Sequence, residues 1–557
     1  MTHATRLIWL LVDGLSWRLV ELRAGKRTHS TLTRSLRAHA PRRAIPLAPL
    51  APNCQTPPSL FSIFSGVNAQ RHGLTGYLLP APLPGDPLRV VNTFAVWPRD
   101  IPMIWDRWAE AQTRFRLCAI PFTQPDRLGE ALLGQTRVYE GLTVSPEVIS
   151  NGERLFMLPL GLDFLVEARQ DGVMLQGVSP DGAISQWIAL DRTEHLPISA
   201  HVRHGNAFPA VAVRAVRIEG EIKLISFGYC TVDARGLPDE IGTSATAPRA
   251  YIIGDPAQLY KDNRLGRRLD DGGDGNAERL LLTLMREVHN SFAADIIAAV
   301  RADDAECVIG YYPVIDLLSH HLLKYLDPCR AELPASGICE VLFDMALDWV
   351  DELIDHCVAA APQSVRCIAH SDHGMTPVHD DLFPNSFFEQ SGWLTYDENG
   401  RPDLAASAAL FHPAENGLVL FNESRLSKQG IDPDIVTARW RAALPPRLRD
   451  GWNMFDGIDT TPPAHGWSAR HYWQAPPGTR LRTARSAHLL QPSRKGGDHA
   501  VWSNNAWLQG ILVDVGSDSV SLPDQAALAL PDIAALVSQP FINHLSERHP
   551  VRWQEKI

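Results

Sequence analysis

Three short, mainly apolar runs, hundreds of residues apart, each give way to a carboxylate or an imidazole. They are Leu7–Val12 before Asp13-Gly14, Cys307–Tyr312 before Asp316, and the run from Val365 before Asp372-His373-Gly374. Short apolar runs without polar alternation suit strands buried on both faces, as in a parallel sheet covered by helices. In an open sheet of that kind, ligands gather beyond the carboxyl ends of the strands. Asp316 and His320 are four residues apart, so one helical turn places both on one face. Asp372 and His373 are neighbours and can reach one ion only where a strand gives way to a loop. Oxygen and nitrogen ligands at three strand ends make the inventory of a two-metal hydrolase. The fold class expected is α/β, a three-layer α/β/α sandwich around a mostly parallel sheet with a mainly β inserted cap region.

The 557 residues are ample for a large core with insertions. The reading divides them into core at 1–139, a β-rich insertion or cap at 140–255, core at 256–394, a small irregular insertion at 395–480, and core at 481–557. The first insertion is marked by runs such as Gly172–Gly177 and Ile222–Ser226 between Gly, Asp and Pro, and is expected to sit over the ligand cluster as a lid. Helical periodicity marks Asn276–Val300 and Cys339–Cys357. In the second, Leu342, Met345, Ala346, Trp349, Val350 and Leu353 form an apolar stripe expected to pack in the core. Gly510–Val515 reads as the last core strand, and Pro531 as an early position of a closing helix. Asp271-Gly-Gly-Asp-Gly-Asn276 lacks the Gly-Lys-Ser/Thr of a P-loop and reads as a flexible lid hinge.

A formal charge of −11, from 63 acids against 52 bases, argues against a general nucleic-acid binder. It leaves room for an anionic substrate, since two bound dications would reverse the local sign. No apolar span approaches the roughly 20 residues that cross a bilayer, and the run before Asp13 is shorter than a secretory signal core. A cytoplasmic protein without a membrane partner is expected. Its eight cysteines, unpaired in spacing, are expected to be reduced thiols.

The stretch from Asn53-Cys-Gln-Thr56-Pro-Pro-Ser to Ser65-Gly66, continuing to Arg71-His72-Gly73, adds a further pattern. Here the chain resembles the alkaline phosphatase superfamily, most closely its type I phosphodiesterase/nucleotide pyrophosphatase branch. That branch has a nucleophilic Thr, a Gly ten residues on and a His-Gly pair sixteen residues on, which Thr56, Gly66 and His72 match. Asp13, Asp316, His320, Asp372 and His373 follow the family's chain order. The family's late histidine fits His499 best, with His465, His471 and His488 as competitors. The resemblance implies one metal on Asp13, Asp372, His373 and the Thr56 oxygen, and a second on Asp316, His320 and His499. Such ligands suit two divalent ions, Zn²⁺ first, with Mn²⁺ or Fe as alternatives. It also implies a small phosphorylated substrate, cleaved at a phosphodiester or pyrophosphate-type bond through a phosphothreonine. A phosphomonoesterase or phosphonate hydrolase on the same scaffold is the alternative, and a non-catalytic binding protein a lesser one. Sulfatases need Cys or Ser at the nucleophile slot to make formylglycine, and Thr56 excludes that chemistry. One slot departs from the pattern: where the branch has an Asn that contacts the phosphoryl group, this chain has Tyr77, so the phenol of Tyr77, or else Asn92, is the substrate-binding candidate.

Overall fold

The computed structural model describes residues 6–538 apart from 138–142, 158–161, 180–181, 198–209, 231–232, 236–251, 253–255, 331–335, 362–363, 501 and 504. Eight strands make the central sheet: β1 (Arg6–Val12), β2 (Ala44–Leu47), β3 (Phe115–Cys118), β4 (Leu132–Arg137), β5 (Asp233–Arg235), β6 (Cys307–Tyr312), β7 (Val365–His370) and β8 (Gly510–Val515). Their order across the sheet is β5-β4-β3-β6-β1-β7-β8-β2. The run from β4 to β7 is parallel, while β5 and β8 pair antiparallel with it. Every residue of β1, β6 and β7 is buried, which is why these strands lack polar alternation.

Helices cover both faces. Gly310 in β6 leaves room for Ile296 of α2 (Asn276–Arg301), since a Cβ there would lie 2.6 Å from the Ile296 side chain. Trp9 of β1 meets Phe64 of α1 (Thr56–Ser65) and Trp108 of the helix Ile104–Glu110. The helix α3 (Val314–Leu322) follows β6 directly, and α4 (Ser336–Ala360) packs beside α2. The stripe read on α4 is buried except at Met345, which is 43% exposed. Met345 sits at the margin of the stripe, where a pattern of apolar residues marks the buried arc without fixing its width.

Between residues 143 and 235 the described elements are strands. Two four-stranded antiparallel sheets there enclose their own apolar core, including Leu155, Phe164, Leu175 and Leu224. This module docks on α2, where Thr193 and Arg214 both reach Glu287. The segment 395–480 is not irregular. Ala409–Phe411, Leu418–Asn422, Asn453–Asp456 and Trp467–Gln474 form a four-stranded antiparallel sheet around stacked Trp440 and Trp473. Its strands are short and its connections rich in Pro and Gly, so the alternation that marks a strand is too brief to read.

The glycine-rich run at 271–276 is a packed helix entry rather than a hinge. A Cβ on Gly273 would strike the Arg267 carbonyl oxygen at 2.0 Å, and Gly275 supplies the positive φ at the start of α2. Cys54, Cys118, Cys307, Cys329, Cys339, Cys357 and Cys367 are free thiols. Among the described residues, no helix is long and apolar enough to cross a membrane. The closing helix covers 532–538, one residue beyond Pro531.

Candidate active site

Strand register assembles the first group. Leu11 pairs with His370, so two steps further the ends of β1 and β7 bring Asp13 level with Asp372. The loop after β1 turns at once, with Gly14 at φ +70°, and the Asp316 N–H of α3 donates to the Asp13 carbonyl at 3.1 Å. His373 Nε2 lies 3.3 Å from Asp13 Oδ1 and 3.2 Å from Asp372 Oδ2. Thr56, the first residue of α1, points its Oγ1 at the same nitrogen from 3.2 Å.

A different device delivers the second group. The strand Thr376–Leu382, just after His373, pairs antiparallel with Gly497–Asp498, and this carries His499 to α3. There His320 Nε2 and His499 Nε2 stand 3.3 Å apart, each 3.4 Å from one oxygen of Asp316. The His499 ring stacks on His373 with centroids 3.7 Å apart, so the two groups are contiguous. His465 and His488 are exposed and His471 lies beside Asp456 and Phe421, leaving His499 as the late histidine that meets Asp316.

Hydrogen bonding orients all three imidazoles. His373 Nδ1 faces the Gly374 carbonyl at 3.0 Å, His320 Nδ1 that of Gly497 at 3.1 Å, and His499 Nδ1 that of Cys54 at 3.2 Å. A carbonyl only accepts, so each Nδ1 carries a proton and each ring turns its Nε2 inward. Asp13 Oδ1, Asp316 Oδ1 and Asp372 Oδ2 are buried there without a hydrogen-bond donor. Anionic oxygens facing one another in a dry pocket repel unless cations lie between them. The spacing of these atoms fits an ion. A tetrahedral ion with bonds of ~2.0 Å sets its ligand atoms roughly 3.3 Å apart, and the separations above run from 3.2 to 3.4 Å. The donor atoms of Asp13, Asp372 and His373, and those of Asp316, His320 and His499, form two clusters, each spanning no more than 4.8 Å.

Electrostatics agrees with that picture. Burial and the neighbouring Asp372 and Asp316 raise the Asp13 carboxyl well above its usual range. Burial also raises Asp372, against the opposing pull of His373. Asp316 is buried too, yet His320 and His499 hold it below the ordinary carboxylate range. Burial and mutual repulsion thus act on Asp13 and Asp372, while the neighbouring imidazoles offset them at Asp316.

The remaining candidates fall into place around these groups. Tyr77 has its phenol within the field of Asp13, Asp316 and Asp372, and burial together with those charges raises it above the usual phenol range. Asn92 is exposed and accepts the Phe94 N–H, so it stays in its own turn. His72 binds Ser62 of α1 at 2.9 Å and accepts the Leu74 N–H at 3.0 Å, holding the nucleophile helix from behind. Burial lowers its pKa to about 3, so it stays neutral. Cys54 is buried, with a thiol pushed up by burial and its carbonyl serving His499. Tyr311, unsuspected from sequence, donates its hydroxyl to Asp13 Oδ2. The signal it offered was its place at the end of β6, beside a strand that ends on Asp13.

Among curated proteins, none matches the chain. Solved structures similar to it include murine ectonucleotide pyrophosphatase / phosphodiesterase 5, 10% identical with a TM-score of 0.44, covering 97% of this chain and 95% of that one. Phosphonoacetate hydrolase from Sinorhizobium meliloti 1021, in complex with phosphonoformate, is 13% identical with a TM-score of 0.45, covering 96% and 95%. Wild type alkaline phosphatase PafA is 14% identical with a TM-score of 0.45, covering 97% and 96%. Residues 248–448 match the family model described as type I phosphodiesterase / nucleotide pyrophosphatase. That stretch, similar to the type I phosphodiesterase / nucleotide pyrophosphatase family, carries Asp316, His320, Asp372 and His373.

Proposed function

We propose that the chain is a metal-dependent phosphohydrolase that opens a phosphodiester or pyrophosphate-type bond, with Thr56 as nucleophile. The coarser half of this reading, phosphohydrolase chemistry, follows from the family matched over residues 248–448. The finer half is carried by the inward-facing Nε2 atoms and orphaned carboxylate oxygens gathered beside Thr56 Oγ1.

Asp13, Asp372, His373 and Thr56 would hold one divalent ion, and Asp316, His320 and His499 the other. Zn²⁺ is the first choice, with Mn²⁺ or Fe as alternatives for the same oxygen and nitrogen donors. Bound ions would lower the pKa of the Thr56 hydroxyl and neutralise charge on the reacting phosphoryl group. Charge balance favours two ions, since three aspartates and a Thr56 alkoxide sum to the charge that two dications cancel. The chain's own residues do the rest. His373, oriented by the Gly374 carbonyl at Nδ1, stands with Nε2 3.2 Å from Thr56 Oγ1, so that both can turn to the same ion. His72 and the tight packing of α1 hold Thr56 in a defined attack position, the kind of orientation that saves activation entropy. Attack by Oγ1 on phosphorus forms a phosphothreonine as the P–O bond to the leaving group breaks, and water then releases phosphate or its monoester. The Tyr77 phenol, within the field of Asp13, Asp316 and Asp372, would donate to the phosphoryl oxygens.

Turnover of an aryl phosphodiester against an aryl monoester, with and without chelator, tests this reading. We expect faster diester turnover, lost with chelator, and a fall of ~10²-fold or more in kcat for Thr56→Ala. Faster monoester turnover would move the assignment to the phosphomonoesterase alternative, and undiminished turnover in Thr56→Ala would remove Thr56 as nucleophile.

A further inference from the structure

The helix that carries Thr56 is unusually poor in donors for a phosphoryl group. A helix start ordinarily offers several unpaired N–H groups to an anion. In α1, Pro57 and Pro58 have none, and the Ser59 N–H is taken by the Gln55 carbonyl at 3.2 Å. A side-chain donor must therefore carry more of the developing charge, and its placement matters in proportion. Tyr77 lies within the field of Asp13, Asp316 and Asp372, and its main chain is tied down by residues from three distant segments.

The ties close into a ring. Asn53 Oδ1 accepts the Gln55 N–H at 2.7 Å, and Gln55 Oε1 accepts the Tyr77 N–H at 2.5 Å. Thr75 Oγ1 accepts from Asn416 Nδ2 at 3.3 Å, and the Asn416 carbonyl accepts from Asn53 Nδ2 at 3.3 Å. Asn53, Thr75 and Asn416 are each 0% exposed. Contact at the intervening residue is equally tight: a Cβ on Gly76 would lie 2.8 Å from Asn416 Cβ and 3.0 Å from Gln55 Oε1. On the other side, Thr93 Oγ1 donates to the Gly76 carbonyl at 2.6 Å and the Thr93 N–H to the Tyr77 carbonyl at 3.0 Å. The Tyr77 ring rests edge-on against Phe94 at 5.5 Å. A tyrosine has few rotatable bonds, so a fixed main chain and a fixed ring contact together fix the phenol oxygen.

We propose that Gln55 is a positioning residue which, locked by Asn53 and by Asn416 of the second insertion, sets the Tyr77 phenol against Thr56 Oγ1. The insertion at 395–480 thereby builds one wall of the phosphoryl site, a role its sequence does not announce. The proposal rests on the Thr56 reading above and deepens it.

A double-mutant cycle tests it, with Gln55→Ala, Asn416→Ala and Tyr77→Phe alone and in pairs, read by kcat, KM and metal per chain with an aryl phosphodiester. Tyr77→Phe is expected to lower kcat ~10²-fold, the scale of a lost oxyanion donor. Gln55→Ala and Asn416→Ala are expected to lower kcat about tenfold, with KM and metal content unchanged. Either one combined with Tyr77→Phe should be no slower than Tyr77→Phe alone, within about twofold, because the ring acts through the phenol. Inhibition by orthovanadate should weaken in the same pattern. Losses that multiply in the pairs, or a folded Asn416→Ala protein with undiminished kcat, would overturn the ring's role. Should Asn416→Ala fail to fold, the Gln55→Ala pair decides alone. An unaltered chain that neither cleaves the diester nor binds orthovanadate would instead remove the Thr56 reading, and the proposal with it.

Discussion

Gly14 shows how little tolerance the site has at one residue. Its φ of +70° belongs to the left-handed region, and a Cβ there would stand 2.8 Å from the Asp316 Cα, against backbone that cannot rotate away. Gly14→Ala therefore combines conformational strain with a clash, at a cost of about 1–3 kcal/mol for the strain alone. It should push Asp316 out of line with His320 and His499. We expect a lower melting temperature and a fall from two metals per chain toward one; a variant with the melting point and metal content of the unaltered protein would contradict this. Asp13, Asp372, His373, Asp316 and His320 were legible in the sequence because each abuts an apolar run or shares a helical turn with its partner. Tyr311, Gln55, Asn53 and Asn416 were not, since their partners lie across the fold and no local pattern marks them. Tyr77 could be singled out by its slot, but its orientation depends on those same distant contacts.

At the level of elements, the two-residue strand Gly497–Asp498 does what a longer element does elsewhere in the fold. It pairs with Thr376–Leu382, while the Gly496 N–H donates to the His320 carbonyl at 2.7 Å and the Gly497 carbonyl accepts from His320 Nδ1. Loop and helix α3 touch so closely that a Cβ on Gly496 would lie 2.2 Å from the His321 carbonyl oxygen. Lys324 and Arg268 steady the same loop by donating to the carbonyls of Ser493 and Arg494. Gly496→Ala is expected to lift the loop from α3 and displace His499, lowering kcat by about 10²-fold, since misplacement of the order of 1 Å has that effect. Metal titration of the folded variant should show one site weakened and the other intact; equal loss at both, or at neither, would show that the loop does not serve the second site. This explains why four histidines competed as the late ligand in the sequence. The choice is made by strand pairing and two glycine contacts, neither of which has a periodicity to read. The core strands β1, β6 and β7, by contrast, were legible because burial on both faces leaves an unbroken apolar run.

Across the whole molecule, the three-layer core was readable from its apolar runs, while the sheet of the second insertion was hidden by strands of three to eight residues. Both regions bury histidines that take no part in the proposed chemistry, and these couple stability to pH. His72 beneath α1 and His289 on α2 have pKa values lowered by burial to about 3, and His412 in the second insertion to about 4. An unfolded chain titrates its histidines near 6.5. Below that pH the unfolded state binds protons that the folded state refuses, so stability must fall as pH falls. The contribution is complete above about pH 6.5 and is lost progressively toward pH 3–4, at about 1 kcal/mol per pH unit for each histidine once the unfolded chain is protonated. The effect is read apart from the candidate ligand histidines at His289, which contacts Tyr312 and Trp349. Urea unfolding of the unaltered chain at pH 7.5 and pH 5.5 should show the acid side less stable. His289→Gln, which has no ionisable ring to protonate, should reduce that difference by the share of one group. An identical pH dependence in the variant would mean that His289 is protonated equally in the folded and unfolded chains, and that its burial against Tyr312 is looser than the packing shows.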